Sequence, residues 1–233
     1  MLLFMINFLK KSLPIEIDNF VNYINSGTRV LKIKDFTKSA FVQKRRKINP
    51  EVFKYLTTVI SDNFYVDHNP DVNFLHGFRI LAVDGSKISL PFTQELKEAF
   101  GVTKNQHKTE VVQALSSVIY DVLNRIALDA VLDNVNSSER ELALKHKPYW
   151  KKNDLIIYDR GYPSYDFINE HITAGIDALS RVRKNQNTAV IAFVNSKKRT
   201  AIVDILPHKE QDFTGKQYDK KTTIKVRLVR VDL

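Results

Sequence analysis

The sequence contains no cysteine, which excludes disulfide bonds and thiolate metal sites. It has only seven glycines among 233 residues, and neither a Gly-x-Gly-x-x-Gly motif nor a P-loop is present. Nucleotide-binding loops need such glycines because their backbone must approach the phosphates closely, so we expect no nucleotide cofactor. The His-Glu-x-x-His motif of zinc hydrolases is absent too. Any metal would therefore be held by carboxylates, whose hard oxygens suit Mg²⁺ or Mn²⁺.

Long hydrophobic runs are also missing. Residues 1–9 (MLLFMINFL) are apolar but too few to span a bilayer. They lack the basic start and the small-residue cleavage site of a signal peptide. We therefore expect a packed N-terminal strand or helix, a cytoplasmic protein and no membrane partner.

Positive charge is in excess. Lysine and arginine outnumber the acidic residues by 36 to 26, which gives a net charge of +10 and a pI of about 9.6. Such an imbalance indicates a polyanionic partner, and DNA is the obvious class.

Two short stretches carry the strongest chemical signal, residues 79–86 (RILAVDGS) and 154–162 (DLIIYDRGY). Each is an apolar run typical of a buried strand, and each ends at an aspartate, Asp84 or Asp159. Open α/β sheets bind ligands beyond the strand ends. Two carboxylates gathered there repel each other unless a cation lies between them, so the pair indicates a metal site acting on phosphate esters.

Simpler interpretations of both aspartates remain open. Asp84-Gly85 is a strong hairpin signal that would turn the chain back at that point. Asp159 would then be an ordinary connector between a strand and a helix.

The order of predicted elements indicates an α/β fold. Short helices fill residues 1–70, a helical region that we expect to contact DNA. Residues 75–184 then read as three strands, helix, strand, helix, strand, which is the order of a ribonuclease H-like domain with a mixed five-stranded sheet. In that arrangement the first and fourth strands are neighbours, so Asp84 and Asp159 would meet.

The last segment, residues 185–233, has a different pattern of predicted elements. It reads as three strands at 188–194, 199–206 and 222–232, rich in lysine and arginine and joined by polar turns. We interpret it as the start of a β-rich insertion.

Several basic clusters fit a surface that follows a DNA backbone, where phosphate contacts dominate affinity. Solvated surface charge is the alternative for each of them. The candidates are Lys44, Arg45, Arg46, Lys47, Arg160, Arg181, Arg183, Lys184, Lys197 and Lys198.

Four motifs in order resemble one known family: LAVDGS at 81–86, YDVLN at 120–124, SERELA at 138–143 and YDRGY at 158–162. The segment SAFVQKRRKI at 39–48 is similar as well. Together they resemble the DDE transposases of bacterial insertion sequences, in the IS-four-like branch. The resemblance covers nearly all of the chain from Lys38 onward.

The resemblance implies a ribonuclease H-like catalytic core with a β-rich insertion. It implies three acids that hold two divalent ions, Mg²⁺ or Mn²⁺, with Asp84 and Asp159 as the first two acids. One ion would activate the nucleophile and the other would stabilise the leaving oxygen. The implied partners are double-stranded transposon ends and target DNA, bound by a homodimer on paired ends in the bacterial nucleoid.

One feature departs from the family. Its glutamate lies on a Tyr-x-x-Arg-x-x-x-Glu-x-x-x-x-x-x-Lys helix, whereas the only glutamate after Lys184 is Glu210, in a segment that fits neither that pattern nor a helix. We therefore expect either a natural truncation or a piece of a longer protein, with weak metal binding and little or no transposition.

Other candidates have simpler explanations. Asp121 is best explained as a turn aspartate. Glu139 and Glu141 read as a capping box that begins a helix, although Glu139-Arg140 could face the site. Tyr162 and Tyr165 read as core aromatics rather than platforms for bases.

Two rival functions remain beside the transposase. One is another ribonuclease H-like nuclease without strand transfer, and the other is a non-catalytic DNA-binding fragment. An inactive pseudogene product is a third possibility.

Overall fold

The computed structural model describes residues 2–6, 11–27, 32–66, 69–104 and 109–231. The chain divides into two compact units, residues 1–56 and 57–233. The helices are α1 (Leu2–Ile6), α2 (Leu13–Gly27), α3 (Lys38–Arg45), α4 (Glu51–Phe64), α5 (Gln94–Phe100), α6 (Glu139–Leu144), α7 (Tyr165–Ala174) and α8 (Thr188–Asn195). The strands are β1 (Arg79–Ser89), β2 (Val102–Lys104), β3 (Glu110–Asp121), β4 (Ile126–Asn134), β5 (Asp154–Tyr158), β6 (Asp177–Ser180), β7 (Thr200–Ile205) and β8 (Ile224–Val229).

The first unit is helical and packs around Phe4 of α1. The Phe4 ring meets Phe20, Phe36 and Phe41 edge to face, with ring centroids 5.0–6.0 Å apart. Such aromatic pairs stabilise a small core beyond the area that they bury. The sequence prediction of a packed N-terminal element is confirmed, and the element is a helix.

The second unit is built on a six-stranded mixed sheet. Its strands run in the order β2-β3-β1-β5-β6, and β4 pairs with β3. The pairs β1–β3 and β3–β4 are antiparallel, whereas β1–β5 and β5–β6 are parallel. This mixed α/β sheet with helices is compatible with a ribonuclease H-like fold, and the predicted adjacency of the first strand and β5 is confirmed.

Two details of the sequence prediction are wrong. The sheet has a sixth strand, β2, which is only three residues long and carries no clear periodic signal. The segment predicted as a strand at 188–194 is the helix α8, because the side chain of Asn187 caps it through the N–H of Val190. A local cap of this kind overrides the strand preference of β-branched residues.

Residues 185–231 thus combine α8 with a two-stranded sheet, β7–β8. Ile205 and Ile224 pack with Tyr165, and Leu228 packs with Val190 and Phe193. No helix among the described residues is both long and apolar enough to cross a membrane.

The start of the β1–β5 pair is fixed by a buried ion pair. Arg79 and Asp154 stand opposite each other in the parallel register, and both are at least 95% buried. The guanidinium donates to both carboxylate oxygens of Asp154, each at 2.8 Å. A forked pair of this kind is strong and geometrically specific.

Arg79→Met should destabilise the protein by roughly 3–5 kcal/mol, because Asp154 would stay buried without its cation. Chemical denaturation followed by circular dichroism measures this change. Asp204→Asn is the matched control, since it breaks the exposed Lys225–Asp204 pair and should cost under about 1 kcal/mol. A loss for Arg79→Met as small as that of the control would contradict the role of the pair.

The core behind β5 contains a histidine, His171 of α7. Its Nδ1–H donates to the carbonyl of Phe167 at 2.7 Å, so its Nε2 accepts from the Tyr158 hydroxyl at 2.8 Å. Burial lowers the pKa of His171 below its ordinary value.

His171 should therefore lower the free energy of unfolding in acid. As the pH falls, His171 is protonated at a higher pH in the unfolded chain than in the folded protein, so its contribution to stability is complete above about pH 6.5 and is lost below that value. His171→Gln should flatten the dependence of the unfolding free energy on pH between about 7.5 and 5.5. His208→Gln, at an exposed histidine, should leave it unchanged; equal slopes in all three proteins would refute the assignment.

Candidate active site

The two motif aspartates lie on neighbouring parallel strands, Asp84 within β1 and Asp159 directly after β5. The register pairs Arg79 with Asp154 and ends with Ala82 opposite Ile157, so each aspartate lies two residues past the last pair. Both side chains are exposed. The topology therefore places two reachable carboxylates on adjacent segments at the carboxyl end of β5, where open α/β sheets bind their ligands.

Asp84 does not turn the chain. The strand β1 continues through Asp84 and Gly85 to Ser89, and Asp84 stands opposite Val118 of β3. The hairpin interpretation of Asp84-Gly85 is therefore wrong. Asp84 Oδ1 accepts a hydrogen bond from the N–H of Gly85 at 2.9 Å.

Asp159 is paired with an arginine that follows β6. The guanidinium of Arg181 donates to Asp159 Oδ1 at 2.9 Å. This hydrogen bond, helped by the backbone N–H of Arg160, holds the pKa of Asp159 below its usual value. The sequence predicted a DNA contact for Arg181; its guanidinium contacts the carboxylate of Asp159 in this structure, and the DNA contact stays a prediction.

Tyr162 follows Asp159 by three residues and lies in the core of the second unit. Its side chain is 98% buried among residues such as Tyr158 and Phe167. Burial raises the pKa of its phenol, and the charges of Glu139, Asp84 and Asp159 raise it further. Three carboxylates thus act electrostatically on one buried hydroxyl.

The short helix α6 contributes the third of these carboxylates. Its N-terminal residues are Glu139 and Arg140, and its Leu142 and Ala143 are buried. Arg140 donates to the carbonyl of Gly161 from Nη2 at 2.8 Å and from Nε at 3.2 Å. The predicted capping box is wrong in detail, since the Ser138 side chain caps no N–H in the described chain.

The donor chemistry fits a hard divalent ion. Asp84 and Asp159 offer exposed carboxylate oxygens, and the guanidinium on Asp159 shows that a cation is accepted there. Within the described ranges, however, no group of three or more His, Cys, Asp or Glu residues is arranged to hold a metal. The metal-binding role of the pair remains a prediction.

Residues 75–229 match the family described as the transposase DDE domain. The chain belongs to this family. No curated protein matches this chain. Among solved structures, this chain is similar to a piggyBac transposase, seen by cryo-EM in a synaptic complex with hairpin DNA. That match has 12% identity and a TM-score of 0.39, and it covers 56% of this chain and 31% of the piggyBac chain. This chain therefore spans about a third of the length of that transposase.

The predicted DNA-contacting residues of the transposase are all exposed. Lys44 and Arg45 form the last turn of α3, and Arg46 and Lys47 follow it directly. In the second unit the remaining exposed candidates are Arg160, Arg181, Arg183, Lys184, Lys197 and Lys198. Their roles remain predictions.

Asp121 has the structural role that the sequence indicated. It is fully buried, and its Oδ1 accepts from the N–H groups of Leu123 and Asn124 in the β3–β4 turn. Tyr162 and Tyr165 are both buried. The interpretation of these rings as core aromatics is therefore confirmed, and base stacking by either ring is wrong.

A serine–histidine–aspartate arrangement is present, but in the core. Ser117 Oγ lies 3.0 Å from His146 Nε2, and His146 Nδ1 lies 2.8 Å from Asp129 Oδ2. All three residues are at least 92% buried, so no substrate reaches the serine. The triad ties β3 and β4 to the segment after α6 and acts as a satisfied buried network.

Arg140→Met should loosen the loop that follows Asp159, because the bond to Gly161 is charge-assisted. Amide exchange at residues 160–162 should become roughly three- to tenfold faster. Lys145→Met is the matched control, since Lys145 directly follows the same helix and forms an ion pair with Asp133 rather than a contact with the loop. Exchange unchanged by Arg140→Met would show that this contact does not hold the loop.

Proposed function

We propose that this chain carries the catalytic carboxylates Asp84 and Asp159 of a transposase that cleaves and joins DNA phosphodiester bonds at transposon ends, as in the IS-four-like branch. Without the third acid in the family's usual position, we expect its own activity to be weak. The observation that supports the proposal is the parallel β1–β5 pairing, which leaves Asp84 and Asp159 each two residues past its last pair, Ala82 and Ile157. The side chains are exposed, as an active site that admits a DNA backbone requires.

Asp84 and Asp159 would hold Mg²⁺ or Mn²⁺, with two ions expected in the full site. When bound, such ions supply Lewis-acid stabilisation of the attacking and leaving oxygens of a phosphodiester. Arg181 contacts only Oδ1 of Asp159, so Oδ2 stays available to an ion. Arg181 would have to be released only if the ion took both oxygens, and this exchange is easy because the Arg181 side chain is 77% exposed.

Double-stranded DNA is the proposed partner, and the net charge of +10 supports this assignment. Arg160, Arg183 and Lys184 follow Asp159 and β6, where they would contact phosphates beside the scissile bond. Lys44–Lys47, Lys197 and Lys198 would add contacts that position the DNA without reading its sequence. Assembly of two copies on paired ends belongs to the same proposal.

Asp84→Asn and Asp159→Asn should each lower Mn²⁺-dependent nicking of supercoiled plasmid by about a hundredfold or more, because several kcal/mol of transition-state stabilisation would be lost. Agarose gels measure the nicked fraction, and a chelator should abolish it. Asp177→Asn, at an exposed aspartate that begins β6, should leave the rate unchanged.

The same assay separates the rival functions. Nicking that survives both substitutions would exclude this site. DNA binding in gel shifts without any nicking by the unaltered chain would instead favour the non-catalytic DNA-binding fragment. Nicking without joining of a supplied transposon end would favour another ribonuclease H-like nuclease.

A further inference from the structure

Glu139 packs directly against the residue that follows Asp84. A Cβ added at Gly85 would lie 3.1 Å from both Cγ and Cδ of Glu139 and 3.4 Å from its Oε1. The two 3.1 Å distances are tighter than nine in ten real Cβ contacts, so a side chain at position 85 would require Glu139 to shift by a few tenths of an ångström. Gly85 therefore makes room for a carboxylate beside Asp84.

The neighbouring contacts hold Glu139 in this place. Arg140, the next residue, donates to the carbonyl of Gly161 in the loop after Asp159. Leu142 and Ala143 anchor the other side of α6 in the core. Consecutive residues of one helix thus contact the segments that carry both catalytic aspartates.

The hydroxyl of Tyr162 is an independent sign of a ligand. It is buried, and it has no hydrogen-bond partner anywhere in the described ranges. Leaving such a group unpaired costs free energy, and a bound ion or its water is one way in which a protein satisfies it. This one lies within the electrostatic reach of Glu139, Asp84 and Asp159.

We propose that Glu139 is a third carboxylate of the Asp84–Asp159 site and helps to hold its divalent cation. The inference rests on the proposed function, and it assigns to α6 an acid that the sequence analysis explained as part of a cap. The described side chains do not form a three-residue metal cluster, so the proposal requires the three carboxylates to turn toward the ion when it binds.

Mn²⁺ binding tests the proposal without relying on activity. Titration calorimetry on the full chain should show about tenfold weaker binding for Glu139→Gln, because one anionic ligand is lost. Glu139→Asp keeps a carboxylate and should lose less affinity. Glu141→Gln, at an exposed glutamate of the same helix, should bind within about twofold of the unaltered protein.

The Asp84→Asn variant distinguishes a failure of the role of Glu139 from a failure of the proposed function. If it weakens Mn²⁺ binding while Glu139→Gln does not, the role of Glu139 is refuted and the proposed function stands. If neither changes the affinity, both the metal site and the role of Glu139 are refuted. If Glu139→Gln and Glu141→Gln weaken binding equally, the effect is general surface charge and Glu139 is not a ligand. Circular dichroism of each variant confirms that it is folded.

Discussion

The buried Arg79–Asp154 pair lies at the start of β1 and β5, and the candidate aspartates lie further along the same segments, Asp84 within β1 and Asp159 directly after β5. Asp84 and Asp159 each stand five residues after a member of this pair. A slip of one residue in a strand pairing turns its side chains to the opposite faces. Such a slip would break the forked hydrogen bonds of Arg79 and exchange Asp84 with the buried Val83. A charge pair in the core thus sets the alignment of two carboxylates at the surface.

The aspartates of this domain separate into two classes by environment. Asp154 and Asp121 are buried, and each is satisfied by several donors: Asp154 also accepts from the N–H of Lys151, and Asp121 accepts from the Tyr65 hydroxyl. Burying a carboxylate is costly unless it is paired in this way, so these two are structural. Asp84 and Asp159 are exposed and remain available for chemistry.

The sequence predicts the positions of the buried strands well because they are short apolar runs, as at 79–83 and 154–158, although β1 continues past its apolar run to Ser89. It fails where a contact between segments that are distant in the sequence determines the local structure. Gly85 signals a turn, yet its lack of a side chain accommodates Glu139 from a helix more than fifty residues away. Likewise no local pattern could show that Arg181 would pair with Asp159. Both contacts depend on the tertiary arrangement, which spacing along the chain does not encode.

The pairing of Asp159 with Arg181 is consistent with a carboxylate that serves a cation. Carboxylates close together repel one another, and a guanidinium lowers that repulsion in the absence of an ion. An exposed pair contributes little free energy, because water and salt screen it. A hard divalent ion carries twice the charge and binds at shorter range, so it competes well for the same oxygens. Because both partners of the Asp159–Arg181 pair are exposed, a divalent ion could replace the guanidinium.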